Sequence, residues 1–280
     1  MLRVAEPIET VELFPALHAE LLVLLRRLEP ADWLKPTTAT PWSVKDMVAH
    51  LLDTDMRRLS AQRDRFSPPA AAPAPATYHE LVALLNQLNA DWVKAAQRLS
   101  PRLLIELLDL IGPQVHQLFS ALDPLAPARV GVAWAGESSS YNWFDIAREY
   151  TEKWHHQQHI REAVGAALQT TRRWMYPVLD TFLRGLPHTY REVIAADETT
   201  LVVTISGDAG GDWTLKRIGQ SWQLYHGAAA TPASHVRLDQ DIAWRLFTNG
   251  LSPHTARSHL AIEGDPALGE QLLALLAIMA

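Results

Sequence analysis

Apolar residues recur at three- and four-residue intervals from about Phe14 to about Leu28, which predicts a first helix with Pro15 in its opening turn. Pro36 and the run TTATP break that period. It resumes after Ser43, where Ser43 and Asp46 have the S-x-x-D spacing of a capping box and Trp42 stands where a hydrophobic staple packs back. This second helix is expected to run through MVAHLLDTDMRRLSAQRD to about Arg65. FSPPAAAPAPAT then reads as a stiff connector rather than a helix. A third helix follows from Tyr78 to about Leu99. A fourth opens at Ser100-Pro101 and reaches about Leu122, kinked or divided at Gly112-Pro113. Residues 123–140 are loop material dense in Pro, Gly and Ser. A long helix runs from about Tyr141 to Val164, with Gly165 at the position that closes helices.

The period then changes. After a short helix near Pro177–Leu186, three runs alternate in the manner of strands: LVVTIS (201–206), DWTLKRI (212–218) and SWQLYHG (221–227). The glycine-rich stretch 207–211 and Gly219-Gln220 are turns, so an antiparallel meander is predicted. SHVRLD (234–239) is a further strand, followed by a helix to Thr248 that Asn249-Gly250 ends. A short strand near 260–262 precedes a last helix from the Asp265 cap and Pro266 to Met279. The fold class expected is an all-α four-helix bundle, with a shorter or broken extra helix, followed by a small α+β domain with an antiparallel sheet. The expected domains are residues 1–168 and 175–280, with the linker near 166–176. A chain of 280 residues accommodates two such cores.

Composition narrows the function. With 25 basic and 31 acidic residues the net charge is -6, and no basic stripe of the kind nucleic acid requires is visible. No stretch approaches the 18 or so uninterrupted apolar residues of a membrane span. MLRVAEPIETVELF lacks the basic and apolar regions of a signal peptide, so a cytoplasmic location is the default expectation. There is no cysteine, which excludes disulfides, thiolate zinc sites and a cysteine nucleophile. The partners expected are a small-molecule substrate and, at most, a second copy of the chain in a homodimer.

The conspicuous chemistry lies in EKWHHQQHIREAVG, residues 152–165. Residues at i, i+3, i+4 and i+7 share a helix face, as Glu152, His155, His156 and His159 do. Two pairs have the i, i+4 spacing that lets both heads reach one ion: Glu152 with His156, and His155 with His159. Spacing alone does not choose between them. A catalytic divalent site takes three protein ligands, so a third must come from another helix, and His50 inside the apolar run VAHLL is the natural candidate. Trp42, Trp134, Trp143 and Trp154 lie around these segments in sequence. Trp134 sits in a loop that could close over a pocket.

TPWSVKDMVAHLLDTD resembles the start of the second helix in the DinB-like family, and more narrowly the N-terminal domain of mycothiol-dependent maleylpyruvate isomerases. Pro41, Trp42, Ser43 and His50 carry that resemblance. A second motif, Glu-x-Trp-x-His with a later hydrophobic residue and a closing glycine, maps to Glu152, Trp154, His156, Ile160 and Gly165. The resemblance implies a DinB-like bundle of up-down-down-up type with His50, Glu152 and His156 as metal ligands. It departs from the isomerase pattern at His159, where an aspartate is usual. The broader DinB-like pattern, His-x-x-x-His, would instead pick His155 and His159. The chain satisfies both, and the isomerase-type set is preferred. VRLDQDIAWRLFTNG and IEGDPALGEQLLALLAIMA, with Gly264, Asp265, Leu268 and Gly269, look like the sterol-carrier-like domain attached to these isomerases.

What this resemblance implies is a metal-dependent isomerase or thiol transferase. Its cofactors would be a divalent metal, zinc first and nickel, manganese or iron after it, and a low-molecular-weight thiol such as mycothiol or bacillithiol. Arg57, Arg58, Arg148 and Arg161 are the cations near the motifs that could meet an anionic substrate. No catalytic residue is assigned. The alternatives are a non-catalytic, metal-containing binding or stress-associated protein, and a hydrophobic ligand carrier acting through the second domain.

Overall fold

The structure is a computed structural model and describes residues 2–67 and 75–278. Most of the proline- and alanine-rich connector, residues 68–74, and the end of the expected last helix, Met279, therefore lie outside the described residues. The chain forms an N-terminal helical region followed by a mixed, mostly antiparallel sheet domain. It divides into two compact units that are discontinuous in sequence. The helical unit holds residues 10–129 and 148–169, and the sheet unit holds 1–9, 130–147 and 170–280.

Within the helical unit, α1 (Phe14–Leu25), α2 (Val44–Arg58) and α4 (Pro101–Ser120) bury leucines among other apolar residues, and α3 (Tyr78–Ala96) buries Val82, Val93 and Ala96. α5 (Asn142–Val164) gives this unit its residues from Arg148 onward. Local chemistry sets the starts. Ser43 and Asp46 form the expected capping box, the Ser43 amide donating to the Asp46 carboxylate at 3.0 Å. Thr77 and Glu80 form a second one at α3, and the Ser100 hydroxyl accepts from the Leu103 amide at α4. Gly165 takes φ +69° just beyond α5, and the Ala166 amide reaches back to the Arg161 carbonyl at 2.8 Å. The core gathers Leu21, Leu25, Met47, Leu51, Leu104 and Ile160 among others.

Two helix boundaries differ from expectation. α2 ends at Arg58 and continues as a wider π-type turn over Leu59–Arg63. α4 is one helix with Pro113 inside it, neither divided nor ended there. Gly112 has a packing role instead, since a Cβ at that position would stand 2.4 Å from Nε2 of His18 on α1. The glycine opens the space that the His18 ring fills.

In the sheet unit, α6 (Arg172–Leu183) starts earlier than the expected Pro177 and carries that proline inside. Its first amide, Arg172 N–H, donates to the Asp208 carboxylate at 2.7 Å, a cap supplied from far along the chain. α7 (Leu186–Thr189) follows. The strands β1 (Arg3–Val4), β2 (Thr200–Ser206), β3 (Gly211–Ile218), β4 (Ser221–His226), β5 (Ser234–Asp239) and β6 (Ala261–Gly264) lie in the order β1-β4-β3-β2-β5-β6. The meander β2-β3-β4 is antiparallel as expected, and Gly219 at φ +57° makes the tight turn between β3 and β4. β2 and β5 pair in parallel, so the sheet is mixed and mostly antiparallel. α8 (Gln240–Phe247) and α9 (Pro253–Arg257) come between β5 and β6. The last helix, α10 (Pro266–Glu270), is shorter than expected. It tightens into a 3₁₀ turn over Gln271–Ala274, and the backbone then turns extended so that the Ala277 amide bonds the Phe247 carbonyl.

Asp180 on α6 organises this unit from within. One carboxylate oxygen accepts from Nε1 of Trp213 at 2.8 Å and meets Nε2 of His226 at 2.7 Å, while the other accepts from Arg184 at 3.0 Å. Burial alone would raise the pKa of this carboxyl. The bond from His226, the charge of Arg184 and the bond from Trp213 outweigh it and hold the pKa below the ordinary value.

Two substitutions test this packing. Alanine normally improves a helix interior over glycine by about 1 kcal/mol. Gly112→Ala is nevertheless expected to destabilise, because overpacking costs about 1–3 kcal/mol. The same change made in a His18→Ala background should stabilise, and chemical denaturation of the four proteins reads the coupling. Asp180→Ala leaves the buried Trp213 Nε1 without an acceptor and the Arg184 guanidinium without its carboxylate, and should cost about 3–5 kcal/mol in the same measurement.

Candidate metal centre

α2 and α5 face each other through polar side chains. Pairs of this kind are stable in a core only if each charge is matched. Lys153 pairs with Asp55, and Arg58 pairs with Glu149 at 2.6 Å, with all four side chains largely withdrawn from solvent. At one end of this seam His50, Glu152 and His156 converge. Oε1 of Glu152 lies 3.0 Å from Nε2 of His50 and 3.0 Å from Nε2 of His156. His50 is held between two rings, Trp42 and His156, each with its centroid 4.9 Å away. The three residues offer donor atoms within 4.8 Å of one another.

The electrostatics suit a cation. Burial would raise the Glu152 pKa, but the charge and hydrogen bond of His156 and the bond to His50 hold it well below the carboxylate value of 4.5. Burial lowers the His50 pKa, and this exceeds the opposing effect of its bond to Glu152, so the neutral, lone-pair-bearing ring is favoured. Zinc at about 2.0–2.2 Å from N and O ligands sets neighbouring donors about 3.3 Å apart in a tetrahedron. The observed 3.0 Å separations need to open by only a few tenths of an ångström to admit such an ion. The donor set therefore fits a borderline divalent metal. Outer contacts differ between the two imidazoles. Nδ1 of His50 is buried without a hydrogen-bond partner, whereas Nδ1 of His156 faces Nδ1 of His159 at 3.3 Å.

His50, Glu152 and His156 meet. His155 and His159 form a second cluster with His156, their own rings 4.2 Å apart. Of the four tryptophans, Trp42 packs against a ligand candidate, His50. Trp154 is fully buried and donates to the Gln169 carbonyl at 2.9 Å. Trp134 and Trp143 lie in the sheet unit, both packed on Phe144, and Trp134 is buried there rather than free to close over a pocket. The four arginines are engaged by carboxylates: Arg57 with Asp53, Arg58 and Arg148 with Glu149, and Arg161 with Glu20. The Asp55–Lys153 pair joins residues 98 positions apart and has no local signal in the sequence.

Residues 14–161 match the family described as mycothiol maleylpyruvate isomerase N-terminal domain. No curated protein matches the chain. The crystal structure of the mycothiol-dependent maleylpyruvate isomerase superposes with a TM-score of 0.52 at 12% identity, over 84% of this chain and 86% of that one. A mutant of that enzyme gives the same TM-score and coverage at 11% identity. At such identities the likeness is one of fold. A UbiJ-SCP2 ubiquinone synthesis protein aligns at 19% identity over 35% of this chain and 81% of that one, with a TM-score of 0.25 that is too low to support an argument. Among the described residues no helix is long and apolar enough to cross a membrane.

The shifts at His50 and Glu152 set an acid profile for the metal-free protein. A histidine with a depressed folded pKa takes up its proton more readily when unfolded, so stability falls as pH drops below 6.5. A carboxylate with a depressed folded pKa contributes stability above 4.5 that is lost as pH falls further through its folded value. Thermal melts in chelator from pH 8 to 3 should show both losses. His50→Gln should flatten the upper one and Glu152→Gln the lower.

Proposed function

Because the chain belongs to the mycothiol maleylpyruvate isomerase N-terminal domain family, we propose that it is a metal-dependent enzyme of the thiol-linked isomerase or thiol transferase type. His50, Glu152 and His156 are its ligands for one divalent cation, zinc first and nickel, manganese or iron after it. The observation that supports this is the meeting of two Nε2 atoms and one carboxylate oxygen, drawn from two helices, at 3.0 Å. His50, Glu152 and His156 would hold the cation, which would supply Lewis acidity at this point of the seam.

The chain's own residues supply the setting. Glu152 stays ionised and contributes the negative charge, and burial keeps His50 neutral. The Trp42 ring covers one face of His50. With no cysteine in the chain, the thiol is a small molecule from outside, of the mycothiol or bacillithiol kind. On this reading residues 1–168 are the metal-binding domain and residues 175–280 a sterol-carrier-like domain.

A second reading, a metal-holding binding protein without turnover, is favoured by one observation. The arginines best placed in sequence to receive an anionic substrate are already paired with carboxylates.

Metal-free full-length protein reconstituted with zinc is expected to hold a tight equivalent at this site. His50→Ala, Glu152→Ala and His156→Ala should each weaken it by more than the roughly 10–100-fold that losing an outer-shell partner costs. Loss of that equivalent only when His155 and His159 are replaced overturns the ligand assignment. The zinc-loaded protein is then assayed for isomerisation of a maleyl-type double bond and for thiol transfer, with mycothiol, bacillithiol and glutathione in turn. Full metal occupancy without turnover selects the second reading.

A further inference from the structure

We propose that α5 carries a second cation site, formed by His155, His159 and Nδ1 of His156, so that one imidazole ring is shared between two divalent cations. The inference rests on the metal reading above only through that shared ring. An imidazole presents its two nitrogens on different edges, and the two edges of His156 meet different groups. Nε2 lies 3.0 Å from Glu152, while Nδ1 lies 3.3 Å from Nδ1 of His159. That second distance is close to the donor separation of about 3.3 Å in a tetrahedral zinc site. His155 joins them through the i, i+4 relation that brings its ring 4.2 Å from that of His159, and one nitrogen from each of the three rings falls within 4.8 Å of the others. His155 and His159 are buried, and His156 is partly so, which limits competition from water.

A hydrogen bond between His156 and His159 would by itself account for one of these contacts. Beyond that bond, a nitrogen of His155 lies within 4.8 Å of nitrogens of both other rings. Three nitrogens without a carboxylate among them select a borderline ion, Zn²⁺ or Cu²⁺, and disfavour the oxygen-seeking Mg²⁺ and Ca²⁺. A cation on each nitrogen of His156 displaces its ring proton to solvent. The resulting ring anion and the Glu152 carboxylate offset part of the repulsion between the two ions.

The test titrates metal-free full-length protein with zinc and counts bound zinc at fixed, submicromolar free zinc. Two equivalents per chain are expected. The second should be weakened at least about 100-fold in His155→Asn and His159→Asn, which retain a polar side chain, with thermal melts confirming that both variants fold. His50→Ala should remove the other equivalent. A single equivalent that vanishes in His50→Ala and survives in His159→Asn overturns the second site and leaves the first standing. A single equivalent that survives in His50→Ala and vanishes in His159→Asn overturns the first site instead and leaves the second. Loading two equivalents of Cu²⁺ reads the sharing itself. Coupling through a common ring should reduce the paramagnetic resonance signal well below that of two spins, and a full two-spin signal overturns the bridge.

Discussion

One carboxylate oxygen placed between two imidazole nitrogens is the constraint around which the helical unit is arranged. Glu152 is only partly exposed, and an ionised carboxylate there must be matched by donors or a cation. His50 and His156 provide the match, one from α2 and one from the next turn of α5. Further along the same pair of helices, Asp55 with Lys153 and Arg58 with Glu149 repeat the solution. A seam of matched charges is intolerant of sliding. Moving α5 by one turn against α2 would separate every pair at once, whereas a leucine seam would merely repack. The spacing that converges on a cation is therefore protected by the pairs beside it.

Much of this was legible locally. The Ser43–Asp46 cap, the turn of His50 into an apolar helix and the Glu152/His156 spacing are all statements about residues within four positions of each other, where backbone geometry leaves few options. The helical bundle and the β2-β3-β4 meander follow from periodicity in the same way. The meeting of His50 with Glu152 crosses 102 positions, and spacing could nominate it without establishing it.

What escaped was contact at long range between elements with weak local signals. Two residues, Arg3 and Val4, make a strand only because β4 offers an edge to pair with. The early start of α6 depends on Asp208, 36 residues away, as its cap. Gly112-Pro113 looks like a break by local rules, yet the space at Gly112 is filled by His18, and α4 stays whole. The arginines near the motifs read as open cations, and only the folded chain shows which carboxylates already hold them. Nor does a run of three histidines disclose that the two nitrogens of His156 look toward different neighbours.

The first nine residues belong with the sheet unit, and this bears on how the protein can be taken apart. β1 covers the outer edge of β4, and Arg184 donates to the carbonyls of Ala5 and Glu6 while holding Asp180. A fragment started at residue 175 would carry a bare strand edge, the template on which extended chains stack, and a buried guanidinium deprived of two acceptors. Such a piece invites aggregation that would be misread as an intrinsic property of the domain. A fragment meant to stand alone therefore needs the N-terminal nonapeptide, in trans or fused through a flexible spacer, together with residues 130–147 and 170–174.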